Sequence, residues 1–176
     1  MVIEQDKTLE ALKIAIQMEI DGRAFYLKAS QKSSNEMGKR LFQSLADEEN
    51  LHRQKFEEIY NEIREKKTWP AIILQAGGNK GVRTILSDAD GKPGAGTKVV
   101  ATELEAVEKA MKMENKTYDF YKGRKEKAGY DAERDFYEAL AIQEREHHTA
   151  LLDYYEYLKD PASWFVTKEH PSLDGG

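Results

Sequence analysis

The sequence predicts an all-α fold: four long helices arranged as two similar pairs joined by a long crossover. Three observations carry this expectation. Apolar residues recur at steps of three and four along four stretches of the chain. The chain aligns with itself at an offset of 95 residues. A glycine-rich segment separates the two copies.

The self-alignment is gapless. Leu9-Glu10-Ala11 meets Leu104-Glu105-Ala106, Ala15 meets Ala110, Met18 meets Met113, and Phe25-Tyr26 meets Phe120-Tyr121. Further on, Leu45-Ala46 meets Leu140-Ala141. From residue 8 to residue 64, 14 of 57 positions are identical to their equivalents, well above the few that chance supplies, so the halves are copies of one unit.

Each copy reads as two helices. Leu9, Leu12 and Ile16 form the first stripe, and Leu41, Leu45, Phe56, Ile59 and Ile63 the second. Leu104, Val107 and Met111, then Phe136, Leu140, Leu151, Tyr154 and Leu158, repeat the pattern. The expected helices are 6–31, 35–66, 102–127 and 131–159. Ser33 with Glu36 and Thr102 with Glu105 have capping-box spacing, and Gly129 with Asp131 marks the turn into the last helix.

Repeat one thus covers 6–66 and repeat two 102–159, with a crossover at 67–101 and a tail at 160–176. The whole of 1–176 is expected to form a single domain. Gly77-Gly78, Gly81, Gly91 and Gly94-Ala95-Gly96, with Pro70 and Pro93, make the crossover unsuited to a fifth long helix. A short helix is expected around Ala71 to Leu74. Helices of about 30 residues are about 45 Å long, and a crossover of this length can traverse them.

Composition narrows the chemistry. The chain has 176 residues, 40% hydrophobic and 34% charged, and no Cys, so disulfides, thiolate catalysis and thiolate-held zinc or iron–sulfur centres are excluded. Any metal must use His and carboxylate. A net charge of −5 with no Lys/Arg-rich block argues against nucleic acid as a partner. The longest uncharged run, Thr68 to Asn79, is too short to cross a membrane, and the first residues carry no secretory pattern, so the expected location is cytoplasmic.

The apolar stripes are interrupted at mid-length. Continuing 9, 12, 16 leads to Glu19, and continuing 41, 45 leads to Glu49 and His52. In repeat two, 104, 107, 111 leads to Glu114, and 136, 140 leads to Glu144 and His147. One Glu at a nominal core position is ordinarily a solvated side chain, and one such His a hydrogen-bonded structural residue. Six at equivalent positions of two repeats are not explained that way. Burying four carboxylates uncompensated would exceed a typical domain stability of about 5–15 kcal/mol, so they must be protonated, paired or metal-bound. Two divalent cations balance four Glu charges. A Glu and a His three residues apart share a helix face, so Glu49/His52 and Glu144/His147 can each serve one ion, with Glu19 and Glu114 opposite. Oxygen-rich coordination with one imidazole per ion suits iron or manganese, and zinc less well.

Other polar residues are weaker candidates. Glu48 matches Gln143 in the repeat, Glu146 matches Leu51 and His148 matches Arg53, which places them at the surface or behind the ligands. His170 lies in a Pro-bounded tail. Phe25-Tyr26 and Phe120-Tyr121 read as core packing, with redox activity of a Tyr near the metals as a second role.

Glu19 followed by Phe25-Tyr26, Glu49-x-x-His52, Glu114 followed by Phe120-Tyr121, and Glu144-x-x-His147 resemble the di-metal signature of ferritin-like proteins, in particular the rubrerythrin branch. The resemblance covers most of residues 8–159. It implies a ferritin-like four-helix bundle with two iron ions bridged by Glu49 and Glu144, Glu19 and Glu114 as terminal ligands, and His52 and His147 completing the two spheres. It further implies reduction of hydrogen peroxide or dioxygen in oxidative-stress defence. Two departures are plain. The rubredoxin domain with its four Cys is missing, so the resemblance implies an external donor such as a rubredoxin-like protein. The further Glu that rubrerythrins carry one turn from Glu114 is also missing, Met111 and Thr117 standing there.

Two other classes stand beside this one: a ferritin-style iron-binding, ferroxidase or storage subunit with the same six ligands, and a structural helical bundle without metal. The expected assembly is a homodimer, with exchange of helix pairs between chains as one route, since related bundles pair through outer helix faces.

Overall fold

The structure is a computed structural model that describes residues 2–72, 74, 85 and 97–169. Among them are five helices and no strand: α1 (Val2–Lys32), α2 (Glu36–Lys66), α3 (Thr97–Glu126), α4 (Asp131–Lys159) and α5 (Pro161–Glu169). The first four are the expected long helices, within a few residues at most ends. α1 packs along α2 and α3 along α4, and the two pairs meet through α1 against α3 and α2 against α4. This is the expected four-helix bundle.

Two apolar clusters set the direction of each helix. One joins Tyr26, Leu41, Phe42, Leu45, Val107, Leu151, Tyr154 and Leu158. The other joins Leu12, Ala15, Phe56, Ile59, Ile63, Tyr121, Phe136, Tyr137 and Leu140. α2 ends in the second cluster and α3 begins in the first, so those two helices run the same way. That is why the link between the repeats has to travel the length of the bundle. No helix among the described residues is long and apolar enough to cross a membrane.

Several local expectations are corrected. α2 is capped by Asn35, not Ser33: the Asn35 side chain accepts from Met37 N at 2.9 Å and Gly38 N at 3.4 Å. The Ser33 hydroxyl is instead turned toward Asn35 O at 3.0 Å and the buried Glu103 Oε1 at 2.5 Å. Thr102 is not the start of α3, which begins at Thr97, five residues before the expected 102, and this shortens the crossover. The short helix expected around Ala71 to Leu74 does not form: Ala71, Ile72 and Leu74 are not helical. Ile72 N donates to Pro70 O at 3.0 Å, a turn too tight to continue as a helix. Trp69 is buried there against Phe136 and Tyr137, with ring centroids 6.0 and 5.9 Å away.

The tail also holds more than expected. Asp160 caps α5 by accepting from Ser163 N at 3.1 Å, and Trp164 donates from Nε1 to Asp153 Oδ1 at 2.9 Å, closing the first cluster. His170 and most of the crossover lie outside the described residues. The turn into α4 is as expected at Asp131, and Glu133 Oε2 accepts from Gly129 N at 3.1 Å.

Candidate metal centre

Between the two apolar clusters, each long helix turns polar side chains inward at mid-length. Glu19 comes from α1, Glu49 and His52 from α2, Glu114 from α3, and Glu144 and His147 from α4. None of the six is more than 4% exposed. The helical period places Glu and His at i and i+3 on one face, so α2 and α4 each present a pair.

The six form two sets that share two members. Glu19, Glu49, His52 and Glu144 make one, and Glu49, Glu114, Glu144 and His147 the other, with the potential ligand atoms of each set within 4.8 Å of one another. His52 Nδ1 lies 3.4 Å from Glu19 Oε2 and 3.3 Å from Glu144 Oε1. His147 Nδ1 lies 3.4 Å from Glu49 Oε1, 3.5 Å from Glu114 Oε2 and 3.8 Å from Glu144 Oε2. Most of these spacings are long for hydrogen bonds, and they approach the ~3 Å between neighbouring ligands of an octahedral ion with bonds of about 2.1 Å.

Six of the buried atoms without a hydrogen-bond partner among the described residues belong to these side chains: Glu19 Oε2, Glu49 Oε1, Glu114 Oε2, Glu144 Oε1, His52 Nδ1 and His147 Nδ1. Each candidate residue thus contributes one. Leaving a buried polar atom unmade costs about 1–3 kcal/mol, so six converging on one small volume fit a pair of cations they would ligate. The far ring nitrogens agree. His52 Nε2 faces Gln143 Oε1 at 2.6 Å and His147 Nε2 faces Glu48 Oε2 at 2.8 Å. Those oxygens are acceptors, so each Nε2 carries a proton, and each Nδ1 is the ring atom left facing inward, where it could give a lone pair to a cation once its own proton is lost. The two rings are near-parallel, 5.8 Å apart at 18°.

The two carboxylates that belong to one set each, Glu19 and Glu114, are held across the bundle. Tyr26 of α1 donates its hydroxyl to Glu114 Oε1 of α3, and Tyr121 of α3 donates to Glu19 Oε1 of α1. Burial, reinforced by those carboxylates, holds both phenols well above their usual pKa, so they stay protonated donors.

Without cations, the cluster retains protons. Burial pushes the Glu114 carboxyl up to about 8, helped by the Glu144 charge, and raises Glu49 well above the carboxylate range, helped by Glu19. Burial alone would depress both imidazoles, but Glu19 at His52 and Glu114 at His147 hold them well above their usual value. Burial would raise Glu144 too, yet the imidazoles of His147 and His52 beside it keep it below the ordinary range. Cations entering here would displace these protons.

One expectation is refined. Glu48 is not a surface residue: it is 5% exposed, and its contact with His147 puts it directly behind a ligand candidate, as Gln143 stands behind His52. The readable signal was its place in the repeat, since positions 48 and 143 each precede a shared Glu. Glu146 and His148 are half-buried and join neither set. Thr117 turns its hydroxyl to Met113 O at 3.0 Å and offers no carboxylate.

No individual curated protein and no solved structure matches the chain. The family model of rubrerythrin matches residues 10–155, a span that contains all six inward-facing ligand candidates, both tyrosines and Glu48 with Gln143. The fold, the repeat and the paired carboxylate–imidazole sets agree with that match, and the chain belongs to the rubrerythrin family.

Proposed function

We propose that the chain holds two iron ions between Glu19, Glu49, His52, Glu114, Glu144 and His147 and reduces hydrogen peroxide or dioxygen with electrons from a separate donor. The observation that carries this reading is the sharing of Glu49 and Glu144 by the two ligand sets, an arrangement that would hold two ions side by side. Two ferrous ions bound there would supply one electron each to an O–O bond. Manganese and zinc are the other ions the donor set could take.

The residues around the ions have separable tasks. Tyr26 and Tyr121 fix one oxygen of Glu114 and Glu19, leaving the other without a hydrogen-bond partner among the described residues and able to ligate an ion. Gln143 and Glu48 fix the ring planes of His52 and His147. The apolar clusters on either side, anchored by Phe42 and Tyr154 at one end and Phe56 and Phe136 at the other, keep bulk water from the centre. No Cys stands among the 176 residues, so electrons reach the centre from outside them, from a rubredoxin-like protein or a comparable reductant. The assembly proposed is a homodimer; a strictly monomeric mass in solution would contradict it.

Anaerobic loading with ferrous iron followed by rapid mixing with peroxide tests the reading. The expected result is about two irons per chain and a ferric absorption that forms once and returns only when a reductant is added. A ferrous spectrum unchanged by both peroxide and dioxygen, with two irons bound, would overturn it. A closed shell of many subunits by light scattering would favour iron storage instead.

A further inference from the structure

The two metal positions are not backed alike. Residues 48 and 143 are equivalents in the repeat, each one residue ahead of a shared carboxylate. Each reaches across from its own helix pair to the imidazole of the other. Glu48 on α2 accepts from His147 Nε2 at 2.8 Å, and Gln143 on α4 accepts from His52 Nε2 at 2.6 Å. Both are buried, 5% and 7% exposed. One is a carboxyl group and the other a neutral amide, so the contact is conserved in geometry between the repeats and broken in charge.

We propose that Glu48 and Gln143 make the two positions unequal, with the position beside His147 binding a divalent cation more tightly than the position beside His52. This rests on the metal-centre reading above. A carboxylate that accepts the Nε2 proton pulls it more strongly than an amide does, leaving more electron density on the ring and making Nδ1 the better donor. The charge acts directly as well. Four carboxylates in the ligand sets balance two divalent ions, and Glu48 places a fifth beside the His147 position in a site dry enough for charges to be felt. Its second oxygen, Oε1, has no hydrogen-bond partner among the described residues, so His147 is the described donor that holds this group. Gln143 offers His52 the same orientation with no net charge. A purely orienting role would be served equally by either side chain, and the difference between the residues is what the test must isolate.

Mn(II) alone is the probe, titrated into the metal-free full-length chain and followed by calorimetry and by the electron-spin signal of isolated against paired ions. The parent protein should take up Mn(II) in two steps, the tighter of which is removed by His147→Ala. Glu48→Gln keeps size and hydrogen bond and should weaken the tighter step about tenfold or more. Gln143→Glu should strengthen the weaker step. The double variant Glu48→Gln, Gln143→Glu should restore two separated steps with their order reversed, so that His52→Ala now removes the tighter one. The inference is overturned if the parent binds two ions in one indistinguishable step, if Glu48→Gln leaves both steps unchanged, or if the swapped protein still loses its tighter step with His147. Failure to take up Mn(II) at all would instead overturn the metal-centre reading on which the inference rests.

Discussion

Glu19 and Glu114, Tyr26 and Tyr121, Glu49 and Glu144, His52 and His147 occupy equivalent places in the two helix pairs and are identical. Away from them the pairs part company: beside the centre Gly22 stands where the second has Thr117 and Glu48 where it has Gln143, and at the end of the bundle Gly38 stands where it has Glu133. Groups that meet at the axis are constrained by shared geometry, because Glu49 and Glu144 belong to both sets and a shift of either alters both. Groups behind them answer only to their own surroundings and are free to differ.

The comparison breaks most completely at the shared carboxylates. Removing both, in Glu49→Ala, Glu144→Ala, should drop metal content from about two ions per chain to near zero, read by elemental analysis of purified protein. Full loading of that variant would show that the six residues are not the ligands.

Gly22 comes next. A Cβ there would lie 3.0 Å from Glu49 Oε2, tight enough that the carboxylate must shift, whereas the Thr117 hydroxyl is bonded to its own helix. Gly22→Ala should weaken uptake at both positions about tenfold, by the same titration, while Thr117→Ala changes it little. Equal effects of the two variants would mean that Glu49 is not held against α1.

Gly38 tests the end of the bundle against its centre. A Cβ there would overlap Glu103 Oε1 and Tyr154 OH and stand 2.7 Å from Ser33 Oγ. Gly38→Ala should cost about 1–3 kcal/mol, seen as a lower midpoint in thermal unfolding, with metal content unchanged. Loss of metal in that variant would show that the end and the centre are coupled.

The smallest expected effect is one of pH on the metal-free protein. Glu114 titrates near 8 instead of 4.5, and Glu49, His52 and His147 are raised as well. Each binds more protons folded than unfolded above its ordinary value. The stability they contribute is present at lower pH and is lost as pH rises, from about 4.5 through about 8 for Glu114 and from 6.5 upward for the imidazoles. The unfolding midpoint of metal-free protein should fall by on the order of 5 °C between about pH 6 and 9. Glu144, shifted the other way, acts only at acid pH. Metal-loaded protein should be flat over the same range; a midpoint that rises without metal would mean that the carboxylates are ionised there.

The four long helices and the six inward residues were legible because both rest on periodicity, which a sequence displays directly. A stripe broken at 19, 49, 52, 114, 144 and 147 marks the same positions whatever the loops do. The ends were less legible. Ser33 has the spacing of a cap, but Glu103, distant in sequence, takes its hydroxyl, and Asn35 caps α2 instead. α5 lacks a long apolar period; its place comes from Trp164 against Tyr157 and Asp153, contacts no local pattern records. Glu48 was hidden in part by its own neighbour, since two adjacent acids look like one solvated turn until the opposite helix is present.

The crossed phenol–carboxylate bonds have a consequence for ancestry. Tyr26 serves the carboxylate of the second pair and Tyr121 that of the first, while Glu48 and Gln143 likewise serve each other's imidazole. A single hairpin therefore carries no complete centre, and two identical hairpins associating about a twofold axis would make a symmetric one. In such an association one gene specifies both copies, so a change at position 48 is forced on both sides at once. Duplication lifts that restriction, and with both copies in one chain positions 48 and 143 are free to differ, as Glu and Gln do here.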